Sequence, residues 1–453
     1  MEFLRRINNL VWGVPTLSLI IGVGVLLMVI TRCAQIRLLP RALKAFLNPK
    51  STNSNHEGGE SPFRALCTAL AATVGTGNLA GVAGAIAIGG PGAVFWIWVG
   101  GIFGMVTKFA EAVLSVHYRK IGKNGEYLGG PMYVITGGLP KKYHFLAYMY
   151  AFFGTVAAFG VGNATQINTV IGGVGSVMNY LGKELAIGTN IILGILMGLL
   201  VAVLFLGGAR RIGSATETIV PFASVLYVIL GFGVFLFRCN QIPQAFCLIL
   251  KGAFDPMAAT GGIVGSSMIT LKIGVSRGVY TNEAGMGTAG IAHASANVRH
   301  PVDQGLMGIV EVFIDTIVIC TITAIVILCS GIPIGYGRDT GILLTTEAFS
   351  SVYGGWITIL LTATLCCFAF ATVLGWGLYG ARCAQFLFGE KVWGIFAVIQ
   401  AITVLIGAVV ETETVWLIAD IVNGLMAIPN LIAVFVLIPK VRELVLEYDN
   451  IKE

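Results

Sequence analysis

Charge is what this chain has least of: Asp, Glu, Lys and Arg make up 11% of its 453 residues, against roughly 25% in a soluble globular protein. So few charges cannot cover a water-exposed surface. With 56% hydrophobic residues and a mean hydropathy of +0.86, the chain reads as a polytopic membrane protein. The basic residues sit singly or in pairs between apolar runs, so the formal charge of +6 belongs to cytoplasmic loops and excludes nucleic acid as a partner. Cysteine is present without a framework. The nine residues are odd in number, lie mostly inside apolar runs, and have only Cys366-Cys367 as a close pair. No Cys-x-x-Cys or Cys/His spacing occurs, which excludes a zinc site and a disulfide scaffold as organising devices. Gly285-x-Gly287-x-x-Gly290 matches a dinucleotide fingerprint as text, but no strand or βαβ unit precedes it, so no organic cofactor is expected.

Glycine, by contrast, is abundant: 60 residues, nearly double the usual ~7% share. Small residues let membrane helices approach closely or unwind. Apolar runs of crossing length, about 20 residues, fall near 11–32, 64–88, 92–117, 145–179, 187–207, 214–237, 256–275, 305–330, 352–381, 392–410 and 414–438. The fold expected is therefore all-α with eleven transmembrane helices. With the N-terminus outside, most basic residues face the cytoplasm, as the positive-inside rule requires, and the C-terminus is cytoplasmic. The location implied is the cell (plasma or inner) membrane.

Two of these runs are interrupted. The first carries Val74-Gly75-Thr76-Gly77-Asn78, and the run at 256–275 carries Ala259-Thr260-Gly261-Gly262-Ile263-Val264-Gly265-Ser266-Ser267. Setting aside the first span, these are the first and sixth of ten. Matched breaks in two halves point to a secondary transporter built as an inverted repeat, with its site where the breaks meet. The expected division is an extra N-terminal helix and basic segment (1–62), two five-helix repeats (63–238 and 239–438) and a cytoplasmic tail (439–453). A half-helix beginning after Gly75 points N–H groups and a positive dipole end into the gap, which suits a carboxylate. A half-helix ending before Val74 leaves carbonyls that, with the oxygens of Thr73, Thr76 and Asn78, suit a hard cation. A zwitterionic amino acid with sodium fits this chemistry better than a sugar or a bare metal ion.

Three motifs carry a family likeness: Ala-Leu-Cys-Thr-Ala-Leu-Ala-Ala-Thr-Val-Gly-Thr-Gly-Asn from Ala65, Gly-Gly-Pro-Gly-Ala-Val-Phe-Trp-Ile-Trp from Gly89, and Thr-Asn-Glu-Ala-Gly-Met-Gly-Thr-Ala from Thr281. They resemble the alanine or glycine:cation symporters of bacteria and archaea over nearly the whole chain. The resemblance implies a LeuT-like fold importing small neutral amino acids with sodium, or less often protons. The pattern at Val74–Asn78 also resembles the first discontinuous helix of neurotransmitter:sodium symporters. That likeness assigns the amides of Thr76 and Gly77, beside Gly75, to the substrate carboxylate. It assigns the carbonyls of Ala71 and Val74, with Thr372, to one sodium position, and places a second near Thr73 and Asn78. Gln166, Thr372 and Trp376 resemble pocket positions, and Gly261, Gly262 and Ile263 of the second break would complete the wall. Ala371 stands where relatives often carry a second hydroxyl, and Ile263 where some carry an aromatic.

Charges within spans are functional candidates. Glu311 and Asp315, four apart on one helix face, would suit a Mg2+-dependent prenyl transferase, but no second acid-rich motif accompanies them. They are expected to brace helices near the cytoplasmic gate, and the chain is not expected to be an enzyme. Lys108 and Glu111, three apart, are expected to pair with each other, Glu217 and Asp420 to make structural hydrogen bonds, and the loop around Gly285 to form a cytoplasmic hinge. The function expected is alternating-access symport, with a proton-coupled symporter and an ion channel as alternatives. A channel filter usually repeats around an oligomer axis, whereas two unlike breaks occur here once per chain.

Overall fold

In lipid the backbone must satisfy its own polar groups, so apolar runs of this kind condense into helices. The structure is a computed structural model that describes residues 2–48, 59–123, 125–264, 266–338, 341–410 and 412–452. Among these, eight helices are long and apolar enough to cross a membrane, and a ninth span results if Pro62–Thr73 and Gly77–Gly89, bent by 48°, are counted together. The described residues hold one two-stranded antiparallel hairpin, Lys120–Ile121 with Tyr127–Leu128.

Two expected spans differ. The run at 392–410 yields Val392–Gly407, a helix of 16 residues, short for a span. At 256–275 the sequence reading is corrected. Pro256–Thr260 stops at once, because Gly261 (φ 63°) and Gly262 (φ 87°) both take left-handed backbone, which cannot continue a right-handed helix. Ile263 is 60% exposed, and Gly265 lies outside the described residues. The next helix, Ser267–Asn282, starts beyond the turn with the Ser266 hydroxyl as its cap.

Glycines set how closely the central helices pack. Ala93–His117 lies against Pro301–Val312 and Ser267–Asn282. A Cβ on Gly274 would stand 2.4 Å from the Ala93 carbonyl oxygen, and one on Gly308 3.0 Å from that of Lys108. The C-terminal segment is a docked helix rather than a free tail. Ile438–Lys452 buries Val441, Leu444, Val445 and Tyr448, one face at helical spacing. The Tyr448 hydroxyl donates to Asp303 at 2.9 Å, and Arg37 pairs with Asp449 at 2.8 Å.

Lys108 does not pair with Glu111. Its ammonium reaches across to Glu311 at 2.9 Å, both side chains 0% exposed, while the other Glu311 oxygen accepts from His293 Nε2 at 2.9 Å. Gln304 fixes the ring from behind, 2.7 Å from Nδ1. Removing one partner of a buried pair leaves an uncompensated charge, so Lys108→Met should cost about 3–5 kcal/mol. The double variant Lys108→Met/Glu311→Gln should recover part of the loss. Thermal unfolding in detergent checks this, and an unchanged midpoint in the single variant would contradict it.

Candidate functional site

The first broken helix begins with a strong signal: Ser61 accepts from the Arg64 amide at 3.1 Å and Pro62 occupies the first turn. It ends at Thr73, and Val74 turns extended (ψ 102°). Helix resumes at Thr76 and passes through a π turn at Gly77–Gly81. The cause of the break is local. Gly75 N–H, due to bond Ala71 in a continuous helix, donates instead to Asn78 Oδ1 at 2.8 Å, the kind of side-chain competition that disfavours helix interiors. Asn78 Nδ2 donates to Asp315 Oδ1 at 2.7 Å and to its carbonyl at 3.0 Å. Asn78 is thus a brace tying the break to the helix of Asp315, and it does not line the cavity described below.

The second break lies further along the chain than the sequence reading put it. Helix Ser267–Asn282 stops at Glu283, whose φ of 55° is left-handed. Gly285 and Gly287 follow with φ 92° and 75°, and helix resumes over Thr288–His293. A left-handed non-glycine residue costs about 1–2 kcal/mol, so this conformation is held by its surroundings. Glu111 Oε1 accepts from Gly285 N–H at 3.0 Å, Gly287 N–H at 3.1 Å and Asn430 Nδ2 at 2.6 Å. Asn282 Oδ1 accepts from Ala284 N–H at 3.0 Å, and the Thr288 hydroxyl donates to Glu283 at 2.6 Å.

The two breaks touch. A Cβ on Gly77 would lie 3.4 Å from Thr281 Cα. Between them is a small cavity of about 10 Å³, lined by Ala72, Thr73, Gly75, Thr76 and Gly77 from one break, Tyr280 and Glu283 from the other, and Val161, Gln166, Thr372 and Trp376. That is room for about one water. Thr76 Oγ1 and Gln166 Oε1 are buried without a partner, an expensive state unless something polar is meant to enter. Thr372 faces Gly75 directly: a Cβ there would stand 2.7 Å from its hydroxyl oxygen, which donates to the Phe368 carbonyl at 3.0 Å. Trp376, 1% exposed, packs on the π turn Gly160–Ala164, where a Cβ on Gly162 would come within 2.1 Å of it.

Of the residues expected from sequence, Thr73, Gly75, Thr76, Gly77, Gln166, Thr372 and Trp376 come together here. Ala71 and Val74 are buried beside them and offer backbone. Gly261, Gly262 and Ile263 are absent from the lining and lie on the surface turn described above. Tyr280 and Glu283 were missed. The available signal was Asn282-Glu283 before Gly285-x-Gly287, a pattern of the same kind as Gly75-x-Gly77-Asn78.

A second cavity, about 390 Å³, is lined among others by Glu60, Glu126, Arg210, Ser295 and Arg382. Arg382 bonds Glu126 at 2.8 Å across it, and Arg64 bonds Glu217 at 2.7 Å nearby. Burial pushes the Glu60 carboxyl above its ordinary range, more than the charge of Arg64 pulls it down.

Two discontinuous helices whose breaks meet in a small polar cavity define a membrane secondary transporter rather than an enzyme. The chain belongs to the sodium:alanine symporter family, whose sequence model matches residues 1–453. It is 42% identical over 443 residues to the sodium/alanine symporter AgcS of Methanococcus maripaludis, covering 96% of this chain and 94% of that protein. It is 35% identical over 448 residues to the probable sodium/glutamine symporter GlnT of Bacillus subtilis, covering 98% and 90%. Among solved structures it is similar to MhsT in complex with L-phenylalanine, with a TM-score of 0.61 at 14% identity over 84% of this chain and 89% of that one; this likeness carries the LeuT-like fold.

A methyl group at Gly75 would occupy the cavity and press on Thr372. Gly75→Ala should therefore lower solute affinity by roughly tenfold or more with the unfolding midpoint nearly kept. Ligand-induced thermal stabilisation checks this, and full retention of binding would contradict the placement of the site.

Proposed function

We propose that the chain imports a small neutral amino acid, alanine or glycine, together with sodium by alternating access. The observation that carries this is the meeting of two helix breaks around a small cavity holding the unpartnered oxygens of Thr76 and Gln166. The first amides of the helix that resumes at Thr76 have no partner within it, so Thr76 and Gly77 take the substrate carboxylate. The Ala71 carbonyl, released because Gly75 N–H turns to Asn78, joins the Val74 carbonyl and Thr372 hydroxyl around sodium, with Thr73 close by. These are hard oxygen donors of the kind such a cation takes. Trp376 closes the wall and limits the side chain. AgcS, by its name, carries alanine with sodium; GlnT is named for the larger glutamine, and so small a cavity favours the smaller substrate.

The architecture that goes with this function has eleven spans: the nine above, Val392–Gly407, and the broken helix 267–293. One extra N-terminal helix and a cytoplasmic segment (1–62) precede two inverted five-helix units, 63–238 and 239–438, and 439–453 follows. By the positive-inside rule the N-terminus is outside and the C-terminus cytoplasmic, in the plasma or inner membrane. The larger cavity, with Arg210 and Arg382, then opens to the cytoplasm as the release path, with the Arg382–Glu126 bridge across it.

Reconstituted protein should take up labelled alanine or glycine only with an inward sodium gradient. Uptake that ignores sodium and follows a proton gradient would contradict the coupling assignment. Trp376→Ala should admit larger neutral side chains; an unchanged substrate range in a transport-competent variant would place the limiting wall elsewhere.

A further inference from the structure

The buried carboxylates near the second break are unequally answered. Glu311 has Lys108 and His293, each at 2.9 Å. Glu111 takes three N–H donors on one oxygen and none on the other, away from the cavity lining. Asp315 takes the Asn78 amide at 2.7 Å and the Thr316 hydroxyl at 2.8 Å. Glu283, 2% exposed, has the Thr288 hydroxyl at 2.6 Å and the Trp376 indole beside it, while Lys108, which acts on it through space, is already bonded to Glu311. Glu111, Asp315 and Glu283 are all held by neutral donors, and a carboxylate so buried calls for a positive charge. Glu283 is also the one of these four that lines the cavity. Its left-handed backbone is one that glycine or asparagine would adopt with less strain, so an acidic side chain stands there against the local preference.

We propose that Glu283 is the counter-charge for the ammonium group of the substrate and confines the pocket to molecules bearing a protonated amine. The inference rests on the amino acid reading above and adds a residue that the first break does not supply. With the carboxylate held at the amides of Thr76 and Gly77 and the ammonium at Glu283, the two ends of a zwitterion are read by different breaks. Substrate thereby draws the two halves together. An acid lacking the amine leaves Glu283 buried without a cation, which disfavours the closed state.

The test is equilibrium binding of alanine to purified full-length protein at saturating sodium, with lactate as competitor, since lactate carries a hydroxyl where alanine carries the ammonium. The unmodified protein should prefer alanine by roughly a hundredfold or more. In Glu283→Gln alanine should weaken by roughly thirtyfold or more, and the alanine-to-lactate ratio should fall towards one. Glu283→Asp, which keeps the charge, should retain most of the preference. Sodium binding and the unfolding midpoint report whether each variant is folded. Lactate competing equally in the unmodified protein overturns the proposal without any variant. An unchanged ratio in Glu283→Gln overturns it too, as does a fall in sodium affinity with the ratio kept, which would assign the carboxylate to the cation. If the unmodified protein binds no alanine, the reading of the site falls, and this inference with it.

Discussion

A helix interrupted inside lipid must find partners for every N–H and C=O it releases, and the architecture of this protein follows from how that demand is met twice. At the first break Asn78 takes the Gly75 amide and hands its own amide to Asp315. At the second, Glu111 takes the amides of Gly285 and Gly287 while Asn430 holds it from the other side. Asn78 is local to its break, but Asp315, Glu111 and Asn430 come from helices remote in sequence. Each break is therefore stable only in the assembled bundle. What the braces leave unanswered converges on one small cavity.

Beside the second break lies a buried cluster, Lys108, Glu311, His293 and Gln304. Such groups are costly to bury, and the single hydrogen-bonded arrangement open to them sets the register between the Ala93–His117 helix and the helix of Glu311. Glycines bring the same helices close enough for it to form.

The first break was legible because Gly75, Gly77 and Asn78 fall in the middle of an otherwise apolar run, where they interrupt a helix of crossing length. The second was displaced. The apolar run at 256–275 points to Gly261 and Gly262, which sit at a surface turn, while the break at Glu283 lies just past that run, in a stretch carrying Lys272, Arg277 and Glu283. Arg277 lies beside Asp420 of another helix, and Glu283 is enclosed by the bundle, so the polarity is internal to the fold and a single sequence does not display it. The Lys108 to Glu311 pairing spans 203 positions and competes with the nearer Glu111, which the fold reserves for the break. The docked C-terminal helix was written in the spacing of Val441, Leu444, Val445 and Tyr448, a stripe that the charges around it obscured.

If amides, carbonyls and hydroxyls from one interrupted helix hold the amino acid and the cation side by side, each must stabilise the arrangement the other needs. The affinity change is then reciprocal by thermodynamic necessity. Titration calorimetry on the purified protein tests this directly, measuring alanine affinity with and without sodium and sodium affinity with and without alanine. The account predicts that both rise by the same factor, on the order of tenfold or more. Two affinities that do not respond to each other would contradict it.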